Sequence, residues 1–319
     1  MKYNLKDICL IPRVVSSVRS REDVDTSIKM GNIDLKVPVI ASPMKDVCDG
    51  DFGSKLIDLG CFGIVHRFCS IDEQAQEVKK NKNLGAAIGT NGDCQERFIE
   101  LCKAGCRTYC IDVANGASEI VRGAINKFLA IDQYVKFIVG NVASKENFLW
   151  LAKRKNVVGI RVGISGGNAC TTKNATGIYH PMASLIQECK CAKNYDMPLI
   201  IADGGITGPS DICKAIALGA DCVMLGSVLA AASDSPAELI KRDGVFYKVY
   251  HGSASFEIQK NYRERPRYIE GKTSLLDYNN ESLEQIITKI SDGLQSSMSY
   301  FDAKTISEFQ EKVSWCVEE

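Results

Sequence analysis

Leu199-Ile200-Ile201-Ala202-Asp203-Gly204-Gly205-Ile206, followed after a gap by Gly219-Ala220-Asp221-Cys222-Val223-Met224-Leu225-Gly226-Ser227, contains two short apolar runs that each end in a glycine turn. Each run has the length and bounded apolar character of a buried parallel strand. Pro209 to Leu218 between them reads as a helix, since Pro209 suits a first helical turn where its missing N–H costs nothing. Working outward, the same unit recurs. The predicted strands are Val37 to Ala41, Phe62 to Val65, Leu84 to Ile88, Thr108 to Val113, Phe137 to Asn141, Val157 to Val162, Leu199 to Asp203 and Cys222 to Leu225. Between them, helices are predicted over Asp72 to Lys82, Gln95 to Ala104, Ser118 to Ile131, Lys145 to Lys155, Met182 to Lys193 and Pro209 to Leu218. Eight strand–helix units favour a closed α/β barrel, a (β/α)8 TIM barrel, over an open sheet. Its usual size accommodates all 319 residues, so 1–319 is expected to be one domain.

Composition excludes several classes of function. Lys plus Arg and Asp plus Glu both total 39, so no overall charge attracts nucleic acid or a membrane surface. The run Lys79-Lys80-Asn81-Lys82 reads as a solvated helix end. No apolar run approaches a membrane span, and Met1-Lys2-Tyr3-Asn4 does not lead into a signal-peptide core. The 14 cysteines contain no CxxC pair, and Cys110 lies in a strand, away from the helix of Cys102 and Cys106. They are read as reduced thiols of a cytoplasmic protein rather than as a metal cluster. After the eighth strand the pattern breaks. Asp243 to Lys272 is polar, rich in Tyr and Arg, and long enough to be a functional lid, with helices resuming at Ser282 to Leu294 and Lys304 to Val313.

Sites in such barrels lie at the C-terminal strand ends. Those ends carry Met44, His66-Arg67, Asp112 to Asn115, Asn141, the loop Val162 to Thr172, Asp203-Gly204-Gly205 and Gly226-Ser227. The turns after strands seven and eight fit a phosphate site made of backbone N–H groups and a serine hydroxyl, with Asp203 placed to bind a ribose diol. The loop Gly163-Ile164-Ser165-Gly166-Gly167-Asn168-Ala169-Cys170-Thr171-Thr172 presents one thiol followed by two hydroxyls. A thiolate there could add to an electron-poor carbon and leave again, splitting one hard substitution into two easier ones. The plain alternative is a glycine-rich turn with a buried cysteine.

Taken together, these motifs resemble the family containing IMP dehydrogenase and GMP reductase. The likeness rests on Asp7-Ile8-Cys9-Leu10-Ile11-Pro12, on Ala202 to Ile206 with Gly219 to Ser227, and on the cysteine loop, and it spans nearly the whole chain. Glu77 to Asn83 runs directly into Leu84, so the regulatory (CBS-type) module that many dehydrogenases insert after the second strand is not expected. Pro266-Arg267 and Glu270-Gly271-Lys272-Thr273 resemble the reductase's short flap. Ser20-Arg21, Asp112 to Gly116, Thr176-Gly177 with Pro181, and Ser296 to Tyr300 also sound like the reductase. Ser70 to Ala75 and Ile160-Arg161-Val162-Gly163 are closer to the dehydrogenase.

The resemblance implies a reductive deamination of GMP by NADPH through a thioimidate on Cys170, with Thr172 and Glu270 handling the proton of the departing amine. It implies that Asn168, Gly204, Gly205, Gly226, Ser227 and Tyr250 meet the phosphate end of a purine nucleotide and Asp203 its ribose. Gly252, Ser253 and Ala254 would meet the purine, with Arg267 to Gly271 closing over it. Asp112, Val113 and Ala114, with Ile164 and Ser165, would border the nicotinamide; Arg67 stands where reductases usually have lysine. Ser20-Arg21, from a neighbouring subunit of a homotetramer, and Ser296, Ser297, Met298 and Ser299 would contact the adenosine side. In relatives the loop's carbonyls bind a monovalent cation such as K+, which on this chain points to Ser165, Gly167, Cys170 and Lys173. The loop departs from the family's usual text at Ser165-Gly166-Gly167-Asn168, where Ser165 has narrower allowed dihedrals than glycine. Two alternatives stay open: a dehydrogenase without its regulatory module, oxidising IMP with NAD and water, and a purine-nucleotide-binding barrel without turnover.

Overall fold

The computed structural model describes residues 1–167, 169–260 and 265–318. Eight parallel strands pair in sequence order: β1 (Val39–Ala41), β2 (Ile64–Val65), β3 (Gly85–Ile88), β4 (Thr108–Asp112), β5 (Lys136–Val142), β6 (Val157–Val162), β7 (Leu199–Asp203) and β8 (Cys222–Leu225). β8 returns to β1 in the register Val223↔Val39 to Leu225↔Ala41. A parallel bridge Ile40↔Phe62 closes the remaining seam, with the Phe62 N–H donating to the Val39 carbonyl at 3.0 Å. The result is the closed (β/α)8 barrel that the alternation predicts.

Two layers of side chains make the core. Outside the strands, Phe98, Tyr109, Phe128 and Phe137 stack between sheet and helices, with centroids 4.6 Å apart for Phe98–Tyr109 and Phe98–Phe128. Each such buried ring contributes about 1.5–3 kcal/mol. Inside the barrel, Ile40, Ile64, Ala87, Cys110, Ile138, Ile201 and Met224 fill the lumen. An antiparallel hairpin, Ile28–Met30 with Ile33–Leu35, drives Met30 and Leu35 into the same cluster and plugs the N-terminal mouth. Its turn needs Gly31, at φ +62°, where a Cβ would lie 3.1 Å from Val158.

Three of the differences from expectation bear on the architecture around the mouth and the lid. The helix Gly50–Asp58 was not predicted, because two glycines thin its apolar face to Phe52 and Leu56; Asp49 caps it by accepting from the Phe52 N–H at 2.8 Å. β2 is shorter than Phe62 to Val65, since that helix approaches so closely that a Cβ on Gly63 would lie 2.5 Å from Gly53 Cα. Most of all, the segment read as a lid contains a strand, Val245–His251, flanked by Leu239–Arg242 and Thr273–Asp277 in an antiparallel sheet. Lys248 disguises it. The side chain is buried, and its ammonium donates to the carbonyls of Ser233, Ser235 and Ala237 at 3.0–3.2 Å. The opening segment forms Ile8–Leu10, which pairs outside the barrel with Trp315–Val317. Among the described residues no helix is long and apolar enough to cross a membrane.

Candidate active site

Side chains alternate along a strand, so residues two apart share a face. Cys110, Ile138 and Ile201 face the lumen, as does Gly159, whose Cβ would meet Ile201. Two residues further on, Asp112, Gly140, Arg161 and Asp203 therefore form the next layer, at the C-terminal mouth. Arg161 spans it. Its Nη1 donates to Asp112 Oδ1 at 2.7 Å, its Nε donates to Asp203 Oδ2 at 2.9 Å, and its Nη2 lies 2.8 Å from the same oxygen. Gly140 makes the room, since a Cβ there would lie 2.4 Å from that of Arg161. Only 7% of the Arg161 side chain is exposed, so each partner's charge acts with little screening. Burial alone would raise the Asp112 carboxyl, but Arg161 and Arg67 outweigh it and hold the group below the ordinary carboxylate range. Asn141 adds a donor, reaching Asp203 Oδ2 at 2.7 Å and the Gly163 carbonyl at 2.6 Å.

The cysteine loop and the flap meet across the mouth. Cys170 bridges Gly271 in antiparallel fashion; the Thr171 N–H donates to the Glu270 carbonyl at 2.8 Å, and the Lys272 N–H to the Ala169 carbonyl at 2.9 Å. These bonds align three side chains. The Cys170 thiol donates to Thr172 Oγ1 at 3.2 Å, and the Thr172 hydroxyl donates to Glu270 Oε2 at 2.7 Å. A proton can thus move between sulfur and carboxylate through one hydroxyl. The approach demands glycines. A Cβ on Gly252 would lie 2.6 Å from the Ala169 carbonyl oxygen, and one on Gly271 2.7 Å from the Ser255 nitrogen. Gln259, buried behind the flap, accepts from the Arg267 N–H at 3.1 Å and donates to the carbonyls of Ala254 and Tyr268.

The predicted phosphate end also comes together. Gly204 and Gly205, at φ +99° and +73°, turn the chain against Gly166 and Gly167, and a Cβ on Gly204 would lie 2.9 Å from the Gly167 nitrogen. Gly226 and Ser227 follow β8, and the buried Tyr250 places its hydroxyl over Gly226 while donating to Met44 Sδ at 3.3 Å. Burial pushes the Tyr250 phenol up, which keeps it a donor. Ser253 and Ala254 lie in the turn between Gly252 and the helix Phe256–Lys260. Asn168 lies outside the described residues.

The residues expected to meet the dinucleotide divide into two groups. Val113 and Ala114 follow Asp112, and the Val113 N–H is tied to the Gly140 carbonyl at 3.2 Å. Arg67 sits beside this turn, its Nε 3.9 Å from Asp112 Oδ2 and its guanidinium over Phe68. Ile164 and Ser165 open the cysteine loop, where Ser165 takes φ +67° and its hydroxyl donates to the Ile178 carbonyl at 2.9 Å. Ser20-Arg21 and Ser296 to Ser299 lie instead along the barrel's flank. Ser20 caps the turn Arg21–Asp23, which packs on the helix Leu283–Tyr300 carrying the serines, and Gln295 donates to the Val24 carbonyl at 3.2 Å. Met298 is fully buried there, which does not fit the dinucleotide contact expected of it, whereas Ser296, Ser297 and Ser299 are half-buried.

No role is assigned from the sequence to Arg161, to the strand-end Asn141 or to Gln259, nor to Asp46, which accepts from the His251 N–H and Nδ1 at 2.7 and 2.8 Å. Arg161 had a signal. A charge inside the apolar run Val157–Val162 must find partners, because such groups are almost never buried alone.

A model of the IMP dehydrogenase / GMP reductase domain matches residues 2–317. The chain is similar to a GMP reductase of Lactococcus lactis subsp. lactis, 34% identical over 312 residues that cover 96% of this chain and 92% of that protein. It is 32% identical to human GMP reductase 2 over 333 aligned positions, covering 99% and 94% of the two chains. A GMP reductase of Lactobacillus gasseri is 35% identical over 313 residues, 96% of this chain and 92% of that protein.

Proposed function

The chain belongs to the IMP dehydrogenase and GMP reductase family, and within it we propose that it carries out the NADPH-dependent reductive deamination of GMP to IMP and ammonia. One observation carries this reading: the Cys170–Thr172–Glu270 relay is closed by a short flap whose backbone is bonded directly to the cysteine loop. In the first half-reaction the Cys170 sulfur forms a bond to purine C2 while its proton passes through Thr172 to Glu270. The same relay returns a proton to the 2-amino group, which leaves as ammonia and leaves a thioimidate. Protonation matters because an amine is a poor leaving group until a positioned acid meets it. NADPH supplies the hydride that reduces C2, and the C–S bond then breaks to free IMP and restore the thiolate.

The substrate would lie across the mouth, its phosphate against the turns at Gly204-Gly205 and Gly226-Ser227 and its purine under Gly252 to Ala254. The nicotinamide would lie near Asp112 to Ala114. Ser20, Arg21 and the serines of the helix Leu283–Tyr300 lie on the flank, which suits service to a neighbouring subunit's cofactor in a homotetramer. The carbonyls of Gly167 and Lys173 each accept one N–H, from Cys170 and Gly177, and each keeps a second lone pair that a monovalent cation would use.

Absorbance of reduced nicotinamide tests the reading in two cuvettes. GMP with NADPH should lose signal and release ammonia. A rise with IMP and NAD instead would overturn it in favour of the dehydrogenase, and silence in both would point to a binding protein.

A further inference from the structure

A carboxylate that recognises a ribose diol through both oxygens must have both free. In Asp203 one is taken. Oδ2 receives Asn141 Nδ2 at 2.7 Å and Arg161 Nε at 2.9 Å, with Arg161 Nη2 at 2.8 Å, which saturates one oxygen's two lone pairs. Among the described residues no hydrogen bond reaches Oδ1. We propose that Arg161 and Asn141 determine the sugar specificity of this site: the sugar is held through Asp203 Oδ1 alone, and 2′-deoxyribonucleoside monophosphates are accepted alongside ribonucleotides. The inference rests on the nucleotide-binding role given to Asp203 above.

The two donors cannot step aside when a sugar enters. Arg161 is anchored at its other arm by Asp112, and its stem is packed over Gly140. Asn141 is anchored by its second bond, to the Gly163 carbonyl. One oxygen can take a short bond from one hydroxyl, but a vicinal second hydroxyl reaches it only at a poorer angle. The charge that would strengthen either bond is shared with the guanidinium. A hydrogen bond to an unshared charge corresponds to roughly 10- to 150-fold in affinity, and a neutral one to about 2- to 10-fold. Removing the 2′-hydroxyl belongs to the second case.

The test compares kcat/KM for GMP and 2′-deoxy-GMP with NADPH. Kd values for the same pair on Cys170→Ala protein accompany it, as do those for IMP and 2′-deoxy-IMP on the unmodified protein. The expected ribo-to-deoxy ratio is within roughly tenfold throughout. A larger ratio in the Kd values overturns the proposal, even where GMP is turned over briskly. Similar Kd values without turnover of either nucleotide leave the sugar reading standing and sink the reductase. Absence of nucleotide binding sinks both.

Discussion

Replacing Arg161 with Met would leave Asp112 and Asp203 facing each other in the barrel mouth without the cation that joins them. In the native protein the guanidinium contacts both carboxylates at 2.7–2.9 Å and is itself almost wholly buried. Removing one partner of a buried ion pair costs about 3–5 kcal/mol, because the remaining charge is left in a poorly solvating site. The loss should depend on pH, and its sign follows from Asp112. Its folded-state pKa lies below the ordinary 3.8, so in the native protein it contributes stability present above that value and lost as pH falls through the depressed one. In Arg161→Met, burial acts with only the more distant Arg67 against it, and the folded pKa moves up. The contribution then reverses, being present at low pH and lost as pH rises. The mutational penalty should therefore grow from pH 5 to pH 8, by about 1.4 kcal/mol for each unit by which the folded pKa exceeds the lower pH. Urea unfolding at the two pH values measures it, read as a midpoint change at constant m. Arg161→Lys should fall between native and Met, since one ammonium cannot reproduce the fork that reaches both carboxylates. Equal destabilisation by Met at pH 5 and pH 8 would refute the coupling of the three groups.

Cys170→Ala should abolish GMP turnover while nucleotide binding survives; steady-state rates and calorimetry separate the two. Thr172→Ala interrupts the relay to Glu270 and should slow GMP turnover by roughly 10²- to 10⁴-fold. Hydride exchange between IMP and NADP should suffer far less, and equal losses in both assays would argue against a role confined to the amine. Gly226→Ala would put a Cβ 2.4 Å from the hydroxyl of the buried Tyr250. That overpacking, about 1–3 kcal/mol, should appear mainly as a higher KM for nucleotide, and an unchanged KM would remove this turn from the site. Lys248→Met strips three carbonyls, two of them buried, of their shared donor and should cost about 2–4 kcal/mol in urea unfolding; a loss under about 1 kcal/mol would mean that water replaces the ammonium.

What could be read from the residues depended on whether the signal was local. The last three barrel strands lie within the ranges their apolar runs suggest, since each run is short, bounded by turn residues and free of charge on the side facing the helices. The strand Val245–His251 escaped because Lys248 breaks its alternation, and only the three carbonyls gathered around the ammonium explain a lysine there. The helix Gly50–Asp58 escaped because its glycines serve close approaches, Gly53 to Gly63 and Gly50 to Glu77, rather than a turn. At the site, Cys170 and Thr172 are neighbours in one loop, but Glu270 reaches them from 98 residues beyond Thr172, through backbone pairing no periodicity reveals.

Arg161 is the instructive case, because it could have been derived. A guanidinium inside an apolar strand cannot be buried alone. The period of two puts it on the lumen face above Gly159, level with the acids that end β4 and β7. Arg161 bridges the two carboxylates, and Arg67 adds a second positive charge beside Asp112. The group proposed to hold the sugar and the turn expected to border the nicotinamide are thereby joined by a single side chain. Substitutions at Asp112 should for that reason shift nucleotide affinity as well as dinucleotide affinity, whereas a purely local role would move the dinucleotide alone.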